Sequence, residues 1–179
     1  MRVKRAAFVT WLRNLPLAAL LLIAAAGCGY KPSSEFARAA VGEKVSAQVL
    51  ISMQDPENTV IIRDAVETAV ITRFKASLTD RASSDTHLDV ILRDVTFTPL
   101  MYDTNGYIIA YRTNIELQIF RIAKAQSKQY TVRGSYDFVI EPNAIISDQA
   151  RFEAIRYSAD KALDSFIVGI AAEGVYESR

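Results

Sequence analysis

The sequence predicts an α+β two-layer sandwich, with two helices packed on one face of a four-stranded, mostly antiparallel sheet in the order β-α-β-β-β-α. Three observations carry this reading. Residues 45–53, 88–97, 109–119 and 130–140 alternate apolar with polar side chains, the two-residue period of a half-buried strand. Residues 62–78 and 152–170 space their apolar positions three and four apart, the stripe of an amphipathic helix. A chain of 179 residues, 50% hydrophobic and 23% charged, suits one globular domain and excludes a disordered, collagenous or multi-span membrane protein.

The first strand begins near Val45, where Val45, Ala47, Val49, Ile51 and Met53 alternate with Ser46, Gln48 and Ser52; Leu50 interrupts the polar side. Asp55, Pro56, Glu57 and Asn58 then supply an N-cap, a first-turn proline and an early acid, which together start a helix. Its stripe is Ile62, Val66, Ala69, Val70, Phe74 and Leu78, and it is expected to end near Thr79.

In the next strand Leu88, Val90 and Leu92 share one parity while Val95 and Phe97 share the other, so a bulge is expected near Arg93 and Asp94. Asn105 and Gly106 tolerate the positive φ of a tight turn and close a hairpin over Tyr102 to Gly106. The clearest strand follows: Ile109, Tyr111, Thr113, Ile115, Leu117 and Ile119 face one way, and Ala110, Arg112, Asn114, Glu116 and Gln118 the other. Past a turn around Lys124 to Ser127, its partner buries Tyr130, Val132, Gly134, Tyr136, Phe138 and Ile140, leaving Gln129, Thr131, Arg133, Ser135 and Asp137 outside. One sheet face is therefore buried, and the other meets something polar. Ser147 or Asp148 caps the last helix, whose stripe is Phe152, Ile155, Ala159, Ala162, Leu163, Phe166 and Ile170; Gly174 is its expected stop.

Upstream of the domain, a basic stretch through Arg13, an apolar run from Leu15 to Ala26 and the small residues Ala24, Ala25, Ala26 and Gly27 precede Cys28, the layout of a secretory signal. The apolar run is shorter than the ~20 residues a membrane-spanning helix needs. Small residues followed at once by cysteine, then by polar Gly29 to Ser34, resemble the bacterial lipoprotein lipobox. That resemblance makes residues 1–27 a signal peptide and Cys28 the first mature residue, carrying a diacylglycerol on sulfur and usually a third acyl chain such as palmitate on nitrogen. Two or three chains make membrane attachment effectively permanent. Gly29 in place of an aspartate favours the periplasmic side of the outer membrane. Residues 28–44 form the lipidated tether, 45–174 the domain and 175–179 a tail.

Charge and composition narrow the chemistry. The first 27 residues hold four bases (Arg2, Lys4, Arg5, Arg13) and no acid; without them 17 bases meet 20 acids, a net charge of −3. A mildly acidic mature chain lacks the basic field that holds nucleic acid, so no nucleic-acid partner is expected. One cysteine and one histidine exclude a disulfide framework and a four-ligand zinc site, and no metal or cofactor is called for. His87, between Asp85 and Asp89, reads as a solvated or hydrogen-bonded imidazole, and no nucleophile elbow, phosphate loop or zinc-protease motif is present. The chain is not expected to be an enzyme. Arg112, Arg121, Lys124, Lys128 and Arg133 cluster around the second hairpin; they are candidates for holding phosphates of a lipid head group, the alternative being a solvated hairpin whose lysines discourage edge pairing.

Four passages together resemble the lipopolysaccharide-assembly lipoprotein family LptE. They are Cys28-Gly29-Tyr30-Lys31-Pro32, Asp55-Pro56-Glu57-Asn58-Thr59-Val60 with the helix behind it, Tyr102-Asp103-Thr104-Asn105-Gly106-Tyr107, and Glu141-Pro142-Asn143-Ala144 leading to Ser147-Asp148-Gln149. The resemblance implies a non-enzymatic outer-membrane lipoprotein that plugs and helps assemble the LptD-type β-barrel and takes part in passing lipopolysaccharide outward. Of the family's functional residues only Cys28 is matched by a motif. The alternative from another class is an anchored scaffold or accessory lipoprotein of a different envelope machine, such as a cell-wall synthase activator or a lipid-transport auxiliary.

Overall fold

The computed structural model describes Arg38 and residues 40–50, 56–123, 126–141 and 144–177. The expectations placed on the signal peptide, Cys28, most of the tether, Ile51, Met53, the Asp55 cap and Lys124 lie outside the described residues. The elements are β1 (Lys44–Leu50), α1 (Pro56–Thr72), β2 (Ser77–Leu78), β3 (Thr86–Tyr102), β4 (Ile108–Ala123), β5 (Gln126–Val139) and α2 (Asp148–Glu177).

The α+β class and the two helices follow the sequence reading, but the sheet has five strands, ordered β2-β1-β3-β4-β5, and it is mixed. β1 runs parallel to both β2 and β3, whereas β3-β4 and β4-β5 are antiparallel. The parallel pair is a consequence of α1: a helix returns the chain to the end where β1 started, so the next strand repeats β1's direction.

The fifth strand arises where the sequence stripe suggested more helix. α1 stops at Thr72 rather than near Thr79, and Lys75 takes a positive φ of 54°. The chain beyond then serves β1: Ser77 N–H donates to Glu43 O at 2.8 Å and Thr79 N–H to Val45 O at 3.0 Å. Backbone groups along β1 must be paired, and that requirement outweighs helical periodicity here. Phe74 is buried as the stripe implied, although outside the helix, while Leu78 is exposed.

The parity switch in β3 is a register shift between Leu92 and Asp94, as the alternation required. Gly106 has φ +87°, and the Asp103 side chain accepts the Asn105 and Tyr107 amides at 2.9 and 2.8 Å, which fixes the hairpin. Leu100, Met101, Tyr102 and Tyr107 remain exposed at that hairpin end.

Both helices bury their stripes against one sheet face. Val66 and Val70 of α1 and Ile155, Phe166 and Ile170 of α2 close over Val90, Leu117 and Ile119. Phe166 meets Phe74 and Tyr130 edge-on at 6.0 and 5.2 Å, and Arg73 at the end of α1 pairs with Asp164 of α2. Ser147 is the cap of α2, its hydroxyl accepting the Ala150 amide at 3.2 Å. Phe152 departs from the expected stripe and is 47% exposed. The first turn instead sets Arg151 over the Phe97 ring at 5.9 Å and turns Ala154 and Ile155 inward. Nor does Gly174 end the helix, which continues to Glu177 and takes in most of the expected tail. A helical glycine costs about 1 kcal/mol against alanine, which is a weakness and not a stop. Among the described residues no helix is long and apolar enough to cross a membrane.

Candidate functional site

The helix-free face of the sheet is laid out in rows by the register of β3, β4 and β5. Side chains directly opposite share a face, so Thr98, Arg112 and Asp137 form one row, Thr96, Asn114 and Ser135 the next, and Asp94, Glu116 and Arg133 a third. Arg112 donates through Nε and Nη2 to the two Asp137 oxygens at 2.6 and 2.7 Å. This two-pronged bond, and the attraction behind it, raises the Arg112 pKa and lowers that of Asp137. Arg133 donates through Nε to Glu116 Oε2 at 2.8 Å, with Nη2 2.6 Å from the same oxygen. At the Arg133–Glu116 pair lies a shallow cavity of about 220 Å³, lined by Asp94, Asn114, Glu116, Arg133 and Ser135. The result is a polar surface of hydroxyls and amides with two cross-strand ion pairs and the additional carboxylate of Asp94.

Arg121 and Lys128 belong elsewhere. They have the parity of Ile119 and Tyr130, which point to the helices, so they lie on the opposite face from Arg112 and Arg133. The expected convergence is therefore corrected, for the four described cations, to two separate groups, a split set by strand parity. Arg121 and Lys128 border a groove of about 730 Å³, walled by Ala40, Gly42, Asp85, Ser127 and Glu173. Arg121 Nη1 donates to Ala40 O at 2.8 Å, while its Nη2 lies 3.8 Å from Glu173. Lys128 Nζ and the Tyr130 hydroxyl donate to the two Glu173 oxygens at 2.6 and 2.8 Å. Burial works against the Glu173 carboxylate, yet the bonds from Lys128 and Tyr130, with the charges of Lys128 and Arg121, outweigh it and lower its pKa. Burial first, then the bond to Glu173, pushes the Tyr130 phenol up to about 12.

Glu173 escaped the sequence reading. Its signal was there: Phe166, Ile170 and Glu173 continue the three- and four-residue spacing, which put an acid on the face that α2 turns to the sheet.

His87 is the hydrogen-bonded imidazole the sequence suggested. Ser46 Oγ lies 2.7 Å from Nδ1 and Asp89 Oδ1 2.8 Å from Nε2, and Ser46 in turn donates to Ser84 Oγ at 2.8 Å. Ser46 and His87 are both buried, so the chain of bonds ties β1 to β3 and to the turn at Arg81–Ser83. Asp85 plays a different part, accepting the Glu43 and Lys44 amides at 3.0 and 2.9 Å. Among the described residues no group of His, Cys, Asp and Glu side chains is placed to hold a metal ion.

A candidate lipoprotein from Caulobacter crescentus is similar over 80% of this chain and 96% of its own, at 5% identity and a TM-score of 0.50. The likeness shows a shared fold. Rare lipoprotein B from Shewanella oneidensis aligns over 76% of this chain and 99% of its own, at 15% identity and a TM-score of 0.47. A minor lipoprotein from Acinetobacter baumannii aligns over 73% and 94%, at 10% identity and 0.46. No family model and no curated protein matches the sequence.

Proposed function

We propose that this chain is an outer-membrane lipoprotein, anchored through Cys28 on the periplasmic side, whose domain seats in an LptD-type β-barrel, supports that barrel's assembly and takes part in lipopolysaccharide transport. The role is non-enzymatic: shape and hydrogen bonding do the work. The carrying observation is the sheet face that no helix covers among the described residues, where Arg112 pairs with Asp137 and Arg133 with Glu116 across neighbouring strands. A domain enclosed by a water-lined barrel needs such an exterior, polar enough to wet and balanced enough not to repel the wall. The lipobox-like stretch ending at Cys28 and the four passages that resemble the lipopolysaccharide-assembly lipoproteins support the same reading.

The test is recovery of the complex. Outer membranes are solubilised and the full-length chain is captured through an affinity tag. A large β-barrel in stoichiometric amount supports the proposal; a cell-wall synthase or a lipid-transport complex without the barrel makes the chain an accessory of that machine instead.

A further inference from the structure

Among the described residues the sheet has two long free margins, and they are built differently. β1 pairs with β3 only as far as Ile91, so the stretch of β3 from Asp94 to Tyr102 has no neighbour on that side among the described residues. It is broken by register shifts at Leu92/Asp94, Pro99/Met101 and Met101/Tyr102, and Pro99 has no N–H to offer. Bulges and prolines of this kind turn an added strand away.

β5, the terminal strand on the other side, has neither device: its 14 residues contain no proline and keep an unbroken register with β4. Ile140 N–H donates to Ile109 O at 3.0 Å, which fixes the alternation of this antiparallel ladder. Even-numbered residues bond toward β4, and the N–H and C=O groups of Thr131, Arg133, Ser135 and Asp137 turn the opposite way. Charges that ordinarily guard such an edge are already matched, Arg133 by Glu116, Asp137 by Arg112 and Lys128 by Glu173.

What fits this edge is constrained by α2, which lies directly over it. A Cβ on Gly134 would stand only 2.4 Å from Ala162 N. A second copy joined β5 to β5 with its helices on the same side would set its own α2 about one strand spacing away, about 4.8 Å. Packed helices need about 8–10 Å. A copy turned over would place its polar rows beside the apolar row of Tyr130, Val132, Tyr136 and Phe138. A bare strand meets neither obstacle. The geometry points to β5 as the docking edge for an extended segment of a partner protein, antiparallel to β5 and alternating apolar residues on the helix side with polar residues on the open side. This inference stands apart from the barrel reading, because it follows from the edge and not from the open face.

The probe is a synthetic peptide copying residues 110–120 of β4, which has the required alternation and carries Glu116 and Arg112 to meet Arg133 and Asp137. It is titrated against the full lipidated chain in detergent by fluorescence anisotropy. Saturable binding is expected, at least tenfold weaker after N-methylation at Asn114 and Glu116, whose amides face β5 when the peptide lies on its outer edge with Glu116 opposite Arg133, and unchanged after N-methylation at Ile115 and Leu117. Thr131→Pro and Ser135→Pro, which remove outward N–H groups, should weaken binding similarly; the thermal midpoint reports whether each variant folds. The methylated peptides decide the matter even if those variants do not fold. Absence of binding, or equal binding of the two methylated peptides, overturns the inference. So does a concentration-dependent dimer abolished by Thr131→Pro, which would give the edge to a second copy.

Discussion

Gly134 on β5 and Ser158 on α2 approach so closely that a Cβ on the glycine would fall 2.0 Å from the Ser158 carbonyl oxygen. The obstructing atoms are helix backbone, which cannot rotate aside as a flexible side chain can. Ser158, Ala159 and Ala162 are all fully buried, so small residues on both surfaces let helix and strand touch main chain to main chain. Gly134→Ala is accordingly expected to destabilise the fold by about 1–3 kcal/mol or more, the range for overpacking a tight core. Urea unfolding should show a lower midpoint at an unchanged slope; an unchanged midpoint would mean that α2 does not sit where described.

Stability should also depend on pH through the Glu173 and Tyr130 pair. The carboxylate has a lowered folded pKa, so its contribution is complete above the ordinary 4.5 and is lost as pH falls through the depressed value. Tyr130 is raised from 10.0 to about 12, so its contribution is complete below 10.0 and is lost as pH rises toward about 12. Glu173→Gln should flatten the acid limb of the thermal midpoint and return the Tyr130 phenol toward the ordinary range, read from phenolate absorbance against a Tyr130→Phe control.

On the open sheet face, Arg112→Asp and Asp137→Arg each leave two like charges side by side. Both groups are exposed, so the thermal midpoint should barely change. Recovery of the proposed barrel partner should fall in each single variant and return in the double variant, where the pair is restored with its direction reversed. Equal loss in all three would mean that the partner reads the individual charges and not their balance.

In the groove, Lys128 Nζ, the Tyr130 hydroxyl and, at longer range, Arg121 converge on the Glu173 carboxylate, the placement an oxyanion also requires. Glu173→Gln should therefore increase retention of labelled lipopolysaccharide, and Lys128→Ala with Arg121→Ala should reduce it severalfold. Arg112→Ala with Arg133→Ala, on the other face, should leave retention unchanged.

Replacing the proposed acyl acceptor, Cys28→Ser, should release the chain from the membrane fraction. Mass spectrometry of the native chain should find the mature protein starting at an acylated Cys28, and an unmodified thiol there would remove the anchor from the proposed function.

The sequence disclosed most of the fold because alternation and helical spacing are strong in this chain. The parity switch at Leu92 and Asp94, the Gly106 turn and the Ser147 cap were all legible, since each depends on neighbours in the chain. The parallel β1-β3 pairing and the short β2 were harder, because they depend on where α1 stops, and Phe74 imitates a further helical turn while packing from a coil. The separation of Arg121 and Lys128 from Arg112 and Arg133 was implicit in odd and even positions. Proximity along the chain obscured it. The pairing of Lys128 and Tyr130 with Glu173 joins residues more than 40 apart, and no local pattern announces a contact of that range.

The length of β3 has a mechanical consequence. At about 3.3 Å per residue, its 17 residues, register shifts included, make a strand roughly 50 Å long. The chain comes into the sheet beside one end, at Lys44, which pairs with Ser77 next to the start of β3, and the other end presents Leu100, Met101, Tyr102 and Tyr107 to solvent. Anything that grips the exposed tip is therefore held about the length of β3 away from the point where the chain enters the sheet.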